Sequence, residues 1–392
     1  MTTTCTATTT TTCLNNNNNL FKFESVKKAL QPIFISPPSA KDLELECQET
    51  TVTSPTNFIN SFKTNSNALG LRSKTNHLHN RLQREQHLFL EADLNESEWK
   101  EILINQVSLN QDNESRRQNQ LIYYQKEIDS VRETIRLKVS ESPDKFYPED
   151  IEKFTTDPWP VLRFFPEDTS QSDISVEKII QNVVTCLKWR KEVRIREITL
   201  KYFPQQFFQT GLFNFGVDVK TGKRVILIRG RQHKKLSELT EQFIRFGSCL
   251  YEKIDNDLKG NKVTLFLDLS DVSLESADVA MIRHVLDLLF NYFPSVLDQV
   301  FIYEASWYLR PLVFFILKVV PEKYAKLVSM ISKKDIQSMD PSSVPDLIEG
   351  GTMKTTSLEV PEGAISLDQF VEEQGLHPGV VEKAKKLYKL SW

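Results

Sequence analysis

The sequence holds no apolar run long enough to cross a bilayer, for which roughly 20 consecutive apolar residues are needed. Glycine is scarce, with 12 residues in 392. The few glycines never form a phosphate cradle: no GxGxxG follows a predicted strand, and no GxxxxGK[ST] occurs. GxSxG is missing too, which removes the strained elbow that exposes a nucleophilic serine in α/β-hydrolases. The five cysteines, Cys5, Cys13, Cys47, Cys186 and Cys249, form no CxxC and no Cys/His cluster. Neither a zinc site nor a disulfide framework is indicated, and isolated thiols of this kind fit a reducing cytosol. The Thr/Asn-rich N-terminus lacks the basic and apolar regions of a signal peptide. A net charge of -3 and a pI near 6.2 speak against a dedicated nucleic-acid binder.

What is present falls into four parts. Residues 1–115 are rich in Thr, Asn and Ser without a sustained apolar period, and read as a disordered tail with one possible helix near Glu96–Val107. Ser36 and Ser54, each before proline, are weak candidates for phosphorylation there. Residues 116–200 read as an all-helical lobe. Its helices are an amphipathic one from Gln118 to about Lys138, a short one opened by Pro148-Glu149-Asp150, and VEKIIQNVVTCLKWRKE (176–192). From 201 to 352 strands alternate with helices, beginning with the hairpin FNFGVDV…RVILIRG. VTLFLDLS (263–270) and VFIYEA (300–305) are continuous apolar runs, as in strands buried on both faces, and a helix is expected over Pro321–Ile331. This order predicts an α/β fold with a mostly parallel sheet and right-handed crossovers. Residues 353–392 read as a tail with two short helices.

No catalytic constellation emerges. His77, His79 and His87 lie in the polar tail, and His284 is mid-helix, where a satisfied or surface histidine is the ordinary case. Cys249 has no basic partner nearby in sequence and reads as a small apolar residue. Asp268 and Asp271 sit at a strand end, where open α/β sheets bind ligands, yet such a pair usually forms a turn or a cap. From Val183 to Lys235 there are thirteen Lys or Arg against three acids, either a solvated surface or a patch for anionic lipid.

SWYLRPLVFFILKVV (306–320) stands out, with only Arg310 and Lys318 charged. It is apolar around most of its circumference, unlike a one-faced surface helix. It is either deeply buried or turned toward a lipid.

Five ordered segments resemble the CRAL-TRIO lipid-binding family. They are the helix ending in WRKE, the hairpin GVDVKTGKRVILIRG (216–230), VTLFLDLS, NYFPSVLDQVFIYEASW (291–307), and SSVPDLIEGGT (342–352). KFYPEDIEKFTTDPWPVLRFF (145–165) is also similar to the segment before the lobe in a member that carries a major-sperm-protein domain; tethering through that domain or an anchor is not implied. The resemblance implies a lipid-binding cage, no enzymatic activity, and neither cofactor nor metal. The partners it implies are a phospholipid or other hydrophobic small molecule and a membrane touched peripherally from the cytoplasm, with no nucleic acid.

Within that frame the 306–320 run falls at the gate helix over the cavity mouth. The expected wall is Leu227, Phe266, Phe301 and Tyr303 from the strands, with Trp307, Val313, Phe314 and Leu317 from the gate; a two-residue period leaves open which strand face looks inward. Arg310 and Lys318 suit anionic headgroups, Lys326 loosely corresponds to the family's headgroup lysine, and Arg163 to its lobe arginine. The Glu-Arg pair of phosphatidylinositol-binding members is replaced by Ser295 and Val296, so headgroup selectivity stays open. The alternative is a protein-interaction or membrane-adaptor module whose cage has no exchangeable ligand.

Overall fold

The computed structural model describes residues 88–89, 94–169, 174–273 and 278–388. Ser36, Ser54, the first three histidines and Cys5, Cys13 and Cys47 lie outside them.

Helix α1 (Glu96–Tyr123) starts at a reciprocal cap: Asn95 Oδ1 accepts from the amides of Ser97 and Glu98, and Glu98 Oε2 accepts from the Asn95 amide at 2.8 Å. This helix begins where one was expected, near Glu96–Val107, and runs on through the last residues of the stretch expected to be a disordered tail. Its apolar period is weak because, besides the buried Ile102, it docks through amides. Asn105 Nδ2 donates to Val219 O at 2.8 Å, Asn113 Nδ2 to Asn261 Oδ1 at 2.8 Å, and Asn261 Nδ2 to Asn110 Oδ1 at 2.8 Å. The anticipated single helix over 118–138 is broken at Tyr124, whose buried ring packs on Phe165. From there α2 (Gln125–Glu141) turns Ile128, Val131 and Ile135 into the lobe core, against α3 (Pro148–Thr156), α4 (Trp159–Leu162) and α5 (Val176–Glu192).

After α6 (Gln205–Phe208) the strands begin: β1 (Phe213–Val217), β2 (Arg224–Arg229), β3 (Val263–Asp268), β4 (Leu297–Tyr303), β5 (Val328–Ile331) and β6 (Thr355–Ser357). The sheet order is β5-β4-β3-β2-β1-β6, with β2 to β5 mutually parallel and β1 antiparallel to both its neighbours. The fold is therefore mixed α/β, with a helical N-terminal region. The β1–β2 turn requires Gly222: its φ is +67°, and a Cβ there would stand 2.7 Å from the Gln106 amide of α1. The helix expected over Pro321–Ile331 is short, α10 (Glu322–Ala325), and the chain then becomes edge strand β5.

One sheet face is covered by α7 (Thr240–Leu258), α8 (Val279–Asp287, extended by a π-turn over Leu288–Tyr292) and α9 (Arg310–Val319). The opposite face meets α11 (Lys333–Ile336) and the 344–353 loop. Residues 353–392 are more than a tail. β6 joins the sheet, and α12 (Leu367–Glu373) and α13 (Gly379–Tyr388) bury Phe370, Val371, Val380 and Val381 in the main core. Phe370 meets Tyr202 and Phe207 edge-on, with ring centroids 5.8 and 5.9 Å away.

The lobe is locked to α7 by buried charge. Arg190, from the WRKE motif, donates to Asp150 of α3 at 2.9 Å and doubly to Glu252 of α7 at 2.7 and 2.8 Å; Arg196 also reaches Asp150. Burial works against charge on Asp150, but Arg190 and Arg196 hold its carboxyl below the usual range.

Candidate functional site

A cavity of about 320 Å³ lies between the helix-covered sheet face and α7, α8 and α9. Strands contribute Ile228, Leu265, Leu267, Val300 and Ile302 to its floor. The helices close it with Phe243, Phe246 and Tyr251 of α7, Met281, His284 and Val285 of α8, and Leu312, Val313, Ile316 and Leu317 of α9.

Six of the eight residues expected in the wall lie off it, beginning with the four on strands. Leu227, Phe266 and Tyr303 belong to the core on the opposite face, with Val344, Ile348 and Met353, and Phe301 packs against that core. Phe266 and Phe301 lie side by side there at 4.8 Å. The strands are apolar on both faces, so their composition does not say which face holds the cavity; alternation then moves all four residues off the wall together. The residues that do line it are their immediate neighbours in sequence.

The gate residues divide by side. Val313 and Leu317 line the cavity, whereas Trp307 (70% exposed) and Phe314 (54% exposed) point away from the core. Arg310 and Lys318 are exposed on the same helix. Arg310 Nε donates to Ala305 O at 3.2 Å, and Tyr308 Oη donates to Val272 O at 2.9 Å, but no side chain caps the start of α9. Lys326 is on the surface, paired with Glu322 at 2.9 Å. Arg163 is engaged internally, donating to Asp255 at 2.9 Å and to Pro294 O at 3.2 Å, while Ser295 Oγ donates to Arg163 O. Arg163 and Ser295 thus meet at the lobe–sheet junction, and neither lines the apolar cavity.

The basic excess between 183 and 235 is partly consumed by ion pairs, at six of its thirteen residues. Arg190, Arg194, Arg196, Lys220, Lys223 and Arg231 each contact a carboxylate, and Arg224 lies over the Phe89 ring. Asp268 is a turn former, its Oδ1 accepting from the Ser270 amide at 2.9 Å. Cys249 is buried, with its Sγ donating to Ile198 O at 3.3 Å, and burial pushes its thiol up to about 12.

Three polar side chains missed in the sequence as site residues line the cavity: His233, Asp278 and His284. His233 Nε2 is 3.4 Å from Asp278 Oδ2, and Asp278 Oδ1 caps α8 by accepting from the Met281 amide. Burial opposes the charge on Asp278, but His233 and that amide keep its carboxyl below the usual range. His284 Nε2 lies 3.1 Å from Ser248 Oγ, and burial lowers the imidazole to about 4. The available signal was an imidazole on the apolar face of VAMIRHVLD. Among the described residues no group of three or more His, Cys, Asp or Glu is placed to hold a metal ion, and no helix is long and apolar enough to cross a membrane.

An apolar chamber between a mostly parallel sheet and three helices, closed by a short greasy helix, is the geometry that the comparison with known families addresses. Residues 211–350 match the CRAL/TRIO domain. The CRAL/TRIO segment contains five of the six strands and all three helices that close the cavity; the helical lobe, β6, α12 and α13 lie outside it. Among solved structures the chain is similar to one titled "Crystal structure of Sfh5", at 16% identity and a TM-score of 0.44, over 64% of this chain and 96% of that one. The CRAL/TRIO match supports binding of a hydrophobic small molecule in general.

Proposed function

We propose that the protein binds one hydrophobic small molecule in the cavity and exchanges it with a membrane by displacement of α9, without covalent chemistry. The observation that carries this reading is the two-sidedness of α9 together with the turn that leads into it. Val313 and Leu317 close the cavity while Trp307 and Phe314 face solvent, with Arg310 and Lys318 beside them. Inserting two aromatic side chains into an interface is worth about 1.5–3 kcal/mol each, and each nearby basic residue adds about 1 kcal/mol on an anionic surface. Before entropic costs, that gives reversible peripheral association. Its workplace in this reading is the cytoplasmic face of a membrane, without nucleic acid. The 145–165 stretch, similar to that before the lobe of motile sperm domain-containing protein 2, makes a closer kinship with that protein part of the proposal.

The test is flotation with vesicles of phosphatidylcholine and phosphatidylserine. Trp307→Asp with Phe314→Asp should cut vesicle association about a hundredfold or more, the loss expected from removing both aromatic insertions. Thermal stability should hold, because both side chains are exposed. Unchanged flotation would mean that α9 is not the membrane element. Recovery of no lipid from the purified protein, with no flotation, would favour the interaction-module alternative.

A further inference from the structure

The stretch RGRQHKK (229–235), which ends β2 and leads toward α7, carries four cations and no acid. Of the four, Arg231 meets a carboxylate, that of Asp271 at 3.5 Å. Arg229, Lys234 and Lys235 form no ion pair among the described residues. Arg229 Nε is buried without a hydrogen-bond partner. Burial and then the neighbouring Arg231 work against the charge of its guanidinium, with Asp268 opposing them. Like charges gathered without carboxylates are a cost that an anion arriving from outside relieves.

The loop is held in shape by other groups. His233 Nε2 stands 3.4 Å from Asp278 Oδ2, Leu236 is buried, and Tyr388 Oη of α13 donates to Lys234 O at 3.2 Å. None of these contacts uses a lysine ammonium. Lys235 is exposed and Lys234 half-buried.

Its position gives the charge a direction. The turn after β3 touches both this loop and the approach to α9. Asp271 meets Arg231, Val272 lies against Gly230 (a Cβ there would stand 3.0 Å from Val272 Cγ2), and Val272 O accepts from Tyr308 Oη at 2.9 Å. Tyr308 follows Trp307, which is 70% exposed. The basic loop and the exposed indole therefore share the end of the sheet at which β2, β3 and β4 finish. A net charge of -3 on the whole chain is poorly suited to a nucleic acid. An anionic lipid surface satisfies both features, with headgroups for the cations and interfacial depth for the indole.

We infer that residues 229–235 are a docking surface for anionic lipid, so that this end of the sheet faces the membrane with Trp307 beside it. This rests on the reading of α9 as a membrane element, and adds which membranes are chosen: those with net negative headgroups.

The experiment compares flotation of the full chain on vesicles of phosphatidylcholine alone and of phosphatidylcholine with phosphatidylserine. Each basic residue near an anionic surface is worth about fivefold in affinity. Lys234→Gln with Lys235→Gln should thus weaken association with the serine-containing vesicles about thirtyfold and leave the neutral ones unchanged. Lys126→Gln with Lys138→Gln, on α2 of the lobe, removes the same charge elsewhere and should shift neither by more than about twofold. Thermal stability should hold in both variants, since neither loses an ion pair present among the described residues. Equal binding of the unaltered chain to the two compositions, a Lys234/Lys235 variant that floats like the unaltered chain, or an equal loss in the α2 variant would each overturn the inference. The α9 reading survives those outcomes if Trp307→Asp with Phe314→Asp still abolishes flotation. If the unaltered chain floats with neither composition, both readings fall.

Discussion

His284→Leu makes a quantitative statement about stability that is independent of any ligand. The imidazole is 8% exposed, and burial lowers it from 6.5 to about 4. As pH falls the unfolded chain takes up the proton first, so stability is complete above pH 6.5 and is lost progressively down to about pH 4. At 1.36 kcal/mol per pH unit the loss on reaching pH 4 is about 3 kcal/mol. The other titratable groups on the cavity wall are His233, Asp278, Tyr251 and Tyr324. Burial pushes both tyrosines upward, so they stay neutral throughout, and the groups that hold the Asp278 carboxyl low do not include His284. The difference between the two proteins therefore isolates the imidazole. Leucine leaves Ser248 bonded to Ile244 O, so the cost of the substitution near neutrality is small. Urea unfolding followed by tryptophan fluorescence, at pH 7 and pH 4, is the assay. The unaltered protein should lose about 3 kcal/mol more than the variant over that interval. Parallel losses would refute a buried, neutral His284.

Arg190→Met should lower unfolding free energy by about 3–5 kcal/mol, because it leaves the buried Asp150 with Arg196 alone and strips Glu252 of its bidentate partner. A shift of the urea midpoint under about 1 kcal/mol would show that the lobe is not locked to α7 by this network. Gly222→Ala should cost more than about 1 kcal/mol, since the residue needs φ +67° and its Cβ would strike the α1 backbone. Hydrogen exchange should then accelerate in α1 ahead of the sheet; uniform acceleration would contradict the docking of α1 on this turn.

The sheet was legible because its strands are short apolar runs between helices, and the hairpin, β3 and β4 lie where the pattern puts them. What stayed hidden has physical causes. Leu227 and Ile228, or Phe266 and Leu267, are equally apolar neighbours on opposite faces, so alternation cannot choose between them. β5 follows α10 after two residues, and VSMI continues the apolar character of a helix that has already ended. α1 is held by one buried side chain, Ile102, and by the amides of Asn105, Asn110 and Asn113, which leaves little hydrophobic period to read. Phe370 and Val380 sit in segments too short to fold alone, and only the assembled core of Tyr202 and Phe207 gives them a place. The polar lining of the cavity was passed over for a related reason: a lone mid-helix histidine has meaning only once its neighbours across space are known.

Charge placement links the two levels of the proposal. No lysine or arginine lines the cavity wall, while Arg310 and Lys318 are exposed on its outer lid. Six of the thirteen basic residues at 183–235 are spent on Asp150, Glu252, Glu197, Asp340, Asp298 and Asp271, which leaves about half of that positive charge outside ion pairs. Attraction to an anionic membrane and recognition of the ligand are thereby assigned to different chemistry. Raising ionic strength should weaken vesicle association, because exposed charges are screened over about 8–10 Å. It should leave the affinity of a neutral hydrophobe for the cavity unchanged, because no exposed ion pair contributes to it. A ligand affinity that falls in parallel with vesicle binding would mean that an anionic headgroup is held at the lid, and that the chamber beneath α9 receives only its tail.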